Sequence, residues 1–149
     1  MEIKQQAREL ILLHSYYKPT LHMPRMQDGF LASLRPYRGL KERNFREVMM
    51  ALWVLSPELQ SGEVVDRQLM DALWRLQFFS YLWGLSSGGM LQRNKLVRPE
   101  DSQLLEKWVT AIGLAVSNLL AGVGIEGVLR EHQITSAEAE TYSTSTEEP

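Results

Sequence analysis

Hydrophobic residues recur along this chain at helical spacing, and no alternating strand pattern of useful length interrupts them. Ile3, Ala7, Leu10, His14 and Tyr17 step by four, three, four and three. That spacing predicts an amphipathic helix from about Glu2 to Tyr16. Pro19 and Pro24 bracket an irregular loop. A short helix is expected from Asp28 to Leu34, ended by Pro36 and Gly39. A long helix reads from Leu40 to Leu55 and contains eight consecutive apolar residues, "VMMALWVL". Ser56-Pro57-Glu58 stops it in the form of a cap followed by a proline at a first helical position, so one more short turn is expected.

A third helix is predicted from Glu63 to Leu85. Val65, Leu69, Ala72, Leu76, Phe79 and Trp83 form its core stripe, and Arg67, Asp71 and Arg75 its polar side. Past Arg75 the polar side vanishes, because Phe78, Tyr81, Leu82 and Leu85 fill the remaining directions. The segment "SSGGMLQRNKLVR" reads as a loop. Pro99, Glu100 and Asp101 then open a fourth helix, since proline suits a first turn and acids suit the positive end of the helix dipole. It runs to about Ala121 on a stripe of Leu105, Trp108, Ile112, Ala115 and Leu119. Gly113, Ser117 and Ala121 recur every four residues, which permits close approach of another backbone. A short helix is expected from Ile125 to His132. The pattern predicts an all-α fold: a four- to five-helix bundle forming one domain over residues 1–134. The acidic tail 135–149, "TSAEAETYSTSTEEP", has too little apolar area to offset its ordering entropy and is expected to be disordered.

Three stretches are apolar nearly all round: Val48–Leu55, Phe78–Leu85 and Val109–Leu120. Such a helix is central or is covered by something else, and one domain of this size comfortably centralises one. A covering partner is therefore expected, most simply a second copy of the chain (a homo-oligomer) or another protein subunit. Met50, Trp53, Phe78, Tyr81, Leu82, Trp83 and Leu114 are the candidate interface residues, of types that suit adaptable, aromatic-rich contacts. The eighteen uncharged residues Trp108–Ile125 touch the lower length of a membrane span, about 18 residues. Thr110, Ser117, Asn118, Gly122 and Gly124 favour a buried bundle helix instead, so a membrane partner is not expected.

Charge changes this picture in one place. The formal net charge is only −2, yet Lys18–Arg46 holds seven cations against Asp28 and Glu42, a local excess of +5. Five of the cations lie between Arg35 and Arg46 in "SLRPYRGLKERNFR", with aromatics interleaved. Two readings compete. The first is a solvated helix start with weak Glu42–Arg46 and Arg43–Glu47 pairs at i,i+4. Its weakness is that cations there face the wrong end of the helix dipole. The second is an anion-binding surface for nucleic-acid phosphate or an acidic protein. Its residues would be Arg35, Tyr37, Arg38, Lys41, Arg43, Phe45 and Arg46, with Tyr37 or Phe45 stacking on a base.

Candidate chemistry is sparse. The absence of cysteine excludes disulfides, thiolate metal sites and cysteine nucleophiles. Gly84-Leu85-Ser86-Ser87-Gly88 has nucleophile-elbow spacing, but that motif requires a strand before the serine, and a helix is predicted there. His14 lies on an apolar stripe and reads as a hydrogen-bonded core or boundary residue. His22, followed by Met23 and Met26 on either side of Pro24, makes a poor soft-metal set, and His132 reads as solvated. The Arg8–His14 spacing in "RELILLH" is similar to that of small helical ribonucleases. Six residues is about 600° of helix, which points the two side chains apart. No acid, base and nucleophile converge. The reading is a non-enzymatic interaction protein without cofactor or metal, the alternative being a small subunit that binds nucleic-acid backbone. The charged start, "MEIKQQAREL", does not read as a secretory signal, so a cytoplasmic location is expected.

Overall fold

The computed structural model describes residues 2–17, 24–135, 137 and 138. The protein is all-α, and among the described residues there is no strand; an isolated antiparallel bridge joins Leu34 to Tyr37. The helices are α1 (Ile3–His14), α2 (Glu42–Val54), α3 (Ser56–Gln60), α4 (Arg67–Phe79), α5 (Met90–Arg93), α6 (Pro99–Leu120) and α7 (Glu126–Glu131). A 3-10 turn covers Pro24–Asp28, and α4 widens into a π-helical turn over Ser80–Leu85.

α1 packs on α2 and α4, while α6 packs on α2, α3, α4 and the π turn. One core joins these helices and includes Ile11, Leu31, Met49, Leu52, Leu76 and Ile112. The expected α6 stripe, Leu105, Trp108, Ile112, Ala115 and Leu119, is buried throughout, and Pro99, Glu100 and Asp101 occupy its first turn. No helix among the described residues is long and apolar enough to cross a membrane. Gly113 meets the Gln77 amide of α4, whose Nε2 donates to the Val109 carbonyl at 3.0 Å. In the π turn, a Cβ on Gly84 would lie 2.5 Å from Leu105 Cδ2, so the turn rests directly on α6.

Several boundaries depart from the sequence pattern for identifiable reasons. α4 starts at Arg67 rather than near Glu63, because the Asp66 carboxylate accepts the Leu69 N–H at 2.7 Å and caps the helix there. The expected helix over 28–34 is absent. Its residues form successive turns instead: Leu34 N–H donates to the Leu31 carbonyl at 3.1 Å, while Phe30 N–H goes to His14 Nδ1 at 3.0 Å and Leu31 N–H to the His14 carbonyl at 2.9 Å. The expected loop after Ser86 contains α5, held by a fully buried Leu91. The extra turn after Leu55 is present as α3. α1 buries Ile11 and Leu13 beyond the expected stripe, because it is covered from two sides. The described part of the acidic tail is tied to the body by the Glu138 carboxylate, which pairs with Arg46 of α2. The expectation of disorder beyond Glu138 falls outside the described residues.

Candidate interaction surfaces

The three stretches that are apolar all round have different fates. Val48–Leu52 and Leu55 are core, with Trp53 and Val54 half-buried. Met50, a candidate interface residue, therefore lies in the interior and is unavailable to a partner. The other two stretches keep an open side. On the outer face of α4, Trp74, Phe78 and Tyr81 stand at i, i+4 and i+7 and remain 65, 42 and 55% exposed. The Trp74 and Phe78 rings stack at 5.9 Å with 10° between planes, and Phe78 meets Phe79 edge-on at 5.3 Å. Leu82 is exposed beside them, and Trp83 is half-buried. Phe79 and Trp83 are each covered by a guanidinium, from Arg75 at 5.0 Å and Arg35 at 5.2 Å.

The aromatic column forms one wall of an open groove whose other wall is α6. Gln77, Gln92, Gln103 and Thr110 line it with Leu85 and Val109, and Glu106 is the one ionisable acid in its lining. Leu114, 47% exposed, belongs to a different groove on the far side of the Gln103–Glu106–Thr110 ridge, next to Leu104 and Val128. The candidate interface residues thus do not form one surface. Phe78, Tyr81, Leu82 and Trp83 are neighbours along one stretch, while Leu114 is separate. Trp74 escaped the sequence reading. Its signal was its place four residues before Phe78 and seven before Tyr81, on the side taken to be polar.

In the basic stretch, Arg38 donates to the Gln27 carbonyl at 2.8 Å and lies 3.9 Å from Asp28. Lys41 Nζ is 3.4 Å from the same carboxylate. Arg43 Nε donates to Glu47 at 2.9 Å, as its i,i+4 spacing predicts. The expected partner of Arg46 was Glu42; it instead bonds Glu138 and the Gln133 carbonyl. Phe45 is buried and stacked on Trp108 at 5.3 Å, so it cannot stack on a base. Tyr37 is half-buried; burial, and then the Asp101 carboxylate, raise its phenol above the ordinary range. Arg8 pairs with Asp66 at 3.0 Å and shares nothing with His14.

Sequence reasoning expected a hydrogen-bonded His14 and an Arg43–Glu47 pair, but missed that they join in one buried polar centre at the α1–α2 corner. Glu47 has no exposed surface, yet it pairs with His14, Arg25 and Arg43. His14 is equally buried. Its Nδ1 accepts the Phe30 N–H, so Nε2 carries the proton and donates to Glu47 Oε2 at 3.2 Å. Burial alone would raise the Glu47 pKa; hydrogen bonds from His14 and Arg25 overturn that and hold it at about 2. Burial depresses the His14 pKa below its usual value, against the opposing pull of Glu47. The available signal was that two ionisable residues each sat on an apolar helix face.

Ser86 follows the π turn and accepts the Gly89 N–H with its carbonyl, the geometry of a helix ending. No group of three or more potential metal ligands occurs among the described residues. His22 lies outside them. His132 stands edge-on to Phe45 at 5.1 Å rather than fully solvated. No protein-family model, curated protein or solved structure matches this chain.

Proposed function

We propose that the protein works by contact rather than catalysis, through self-association on the face carrying Trp74, Phe78 and Tyr81. The observation behind this reading is the exposed aromatic column itself. Aromatic side chains are the residue types that dominate interface energetics. A second copy is favoured as the partner by the charge of the groove. In a two-fold contact residue i meets residue j and j meets i, and residues near the axis meet their own copies, so a patch of one charge sign repels itself. This groove is lined by amides, hydroxyls and apolar groups, with Glu106 alone to be kept off the axis. The basic stretch supports the nucleic-acid alternative less well, because Arg38, Lys41, Arg43 and Arg46 already meet carboxylates or carbonyls of the same chain and Arg35 lies over the Trp83 ring.

Light scattering on a gel-filtration column, run at low and high salt with absorbance at two wavelengths, tests this. The expected result is a dimer or larger mass that does not respond to salt. Trp74→Lys should return the monomer with an unchanged circular dichroism spectrum. A monomer at every concentration would remove the self-association reading. A nucleic-acid absorbance signature at low salt, lost at high salt, would move the function to Arg35–Arg46.

A further inference from the structure

We propose that His14 is an acid-operated latch: protonation of its Nδ1 releases the segment Phe30–Leu34 from α1. The geometry is specific. Nδ1 is the acceptor for the Phe30 amide, and Nε2 is committed to Glu47. A proton can therefore enter only at the nitrogen that holds Phe30. Once there, it turns an acceptor into a donor and sets it against another donor. The two cannot remain in contact inside a buried site, because each would be left unsatisfied.

The charged groups acting on His14 are Glu47 and Arg43 from α2 and Arg25 from the 3-10 turn. α4 also packs on α1, but its Asp71 and Arg75 lie near Tyr17. Glu47 would welcome an imidazolium; Arg25 and Arg43 oppose it, and burial opposes it most. The closed state thus takes up the proton reluctantly. An opened His14 titrates at the ordinary value of about 6.5. Proton uptake favours the open state as pH falls below that value, and the bias grows until the closed state also titrates. What opens is not a surface loop. Phe30, Leu31 and Leu34 are core residues, and Phe30 contacts Trp108 at 6.1 Å. Release would uncover apolar surface at the α1–α6 side of the bundle, so low pH would create a new sticky face.

Hydrogen exchange read by NMR on the full chain tests this. Protection of the Phe30 amide should be constant above pH 7. Below about 6.5 it should fall about tenfold per pH unit, the slope of one linked proton. Leu76, in the core of α4, should keep its protection across that range. In the same samples, imidazole nitrogen shifts should place the His14 proton on Nε2 at neutral pH. His14→Asn, which can present a non-titrating acceptor at the Nδ1 position, should flatten the Phe30 response. Constant Phe30 protection from pH 7.5 to 5, loss of Phe30 and Leu76 protection in step, or an Nδ1–H tautomer at neutral pH would each overturn the latch in the unmodified protein, whether or not the variant folds.

Discussion

At the α1–α2 corner, a carboxylate with no exposed surface is met by one imidazole and two guanidiniums. On the outer face of α4, Trp74 and Tyr81 keep more than half of their surface in water. The usual distribution is reversed in both places: charge is inside at the corner, and large aromatic rings are outside on α4. The difference separates architecture from availability. The basic stretch looks like a binding surface in one dimension, but its side chains largely meet partners within the same chain: Asp28 and the Gln27 carbonyl, Glu47, Glu138 and the Trp83 ring. On the α4 face, by contrast, Trp74, Phe78 and Tyr81 are left open by the described residues. A functional surface is better sought among groups left without an internal use than among those that are chemically conspicuous.

The sharpest way to break the comparison is to remove the buried carboxylate. Glu47→Leu removes the acceptor of the buried His14 N–H and the carboxylate that Arg25 pairs with. Loss of one partner from a buried ionic cluster costs about 3 kcal/mol or more. Urea unfolding should show this as a lower midpoint with an unchanged slope. Arg43→Ala touches the same cluster, but Arg43 is 68% exposed. Its loss should cost less than about 1 kcal/mol, because water already screens it. Equal costs for the two variants would mean that burial of Glu47 is not what makes the corner matter.

Acid should weaken the same corner. His14 has a folded pKa below 6.5 and Glu47 one depressed from 4.5 to about 2. In both cases the unfolded chain binds the proton first. Their contributions are complete above the unfolded values and are lost as pH falls through the folded ones. Urea midpoints should be flat above about pH 7, fall as His14 titrates below 6.5, and fall again below about 4.5 as Glu47 titrates. A midpoint unchanged between pH 7.5 and 5.5 would show that His14 does not resist protonation.

How much of this was legible in the sequence follows from what periodicity encodes. The α6 stripe and its Pro99 start were readable because apolar spacing and first-turn chemistry are local. The start of α4 was less so: Asp66 is a cap by residue type, but Ser61-Gly62 is the more conspicuous break. In place of the helix expected over 28–34 stands a run of turns docked on His14, sixteen residues before Phe30, and no local pattern carries that contact. Met50 and Phe78 are alike in their apolar stretches. Only the packing of α1 and α6 on α2 places Met50 inside while leaving Phe78 at the surface.

The smallest effect on folding is expected where the effect on association should be largest. Trp74 is the most exposed ring of the α4 column, and its main partner is the stacked ring of Phe78. Trp74→Lys puts a good helix former at an exposed helical position. It removes little buried area, so the unfolding free energy should change by no more than about 0.5 kcal/mol. The same substitution places a cation on each side of a two-fold contact, where the two would repel. The test compares variants by urea midpoint and by mass: Glu47→Leu should move the first, and Trp74→Lys should move only the second. If Trp74→Lys lowers the urea midpoint as much as Glu47→Leu does, the aromatic column is part of the folding core, and the contrast between the two regions collapses.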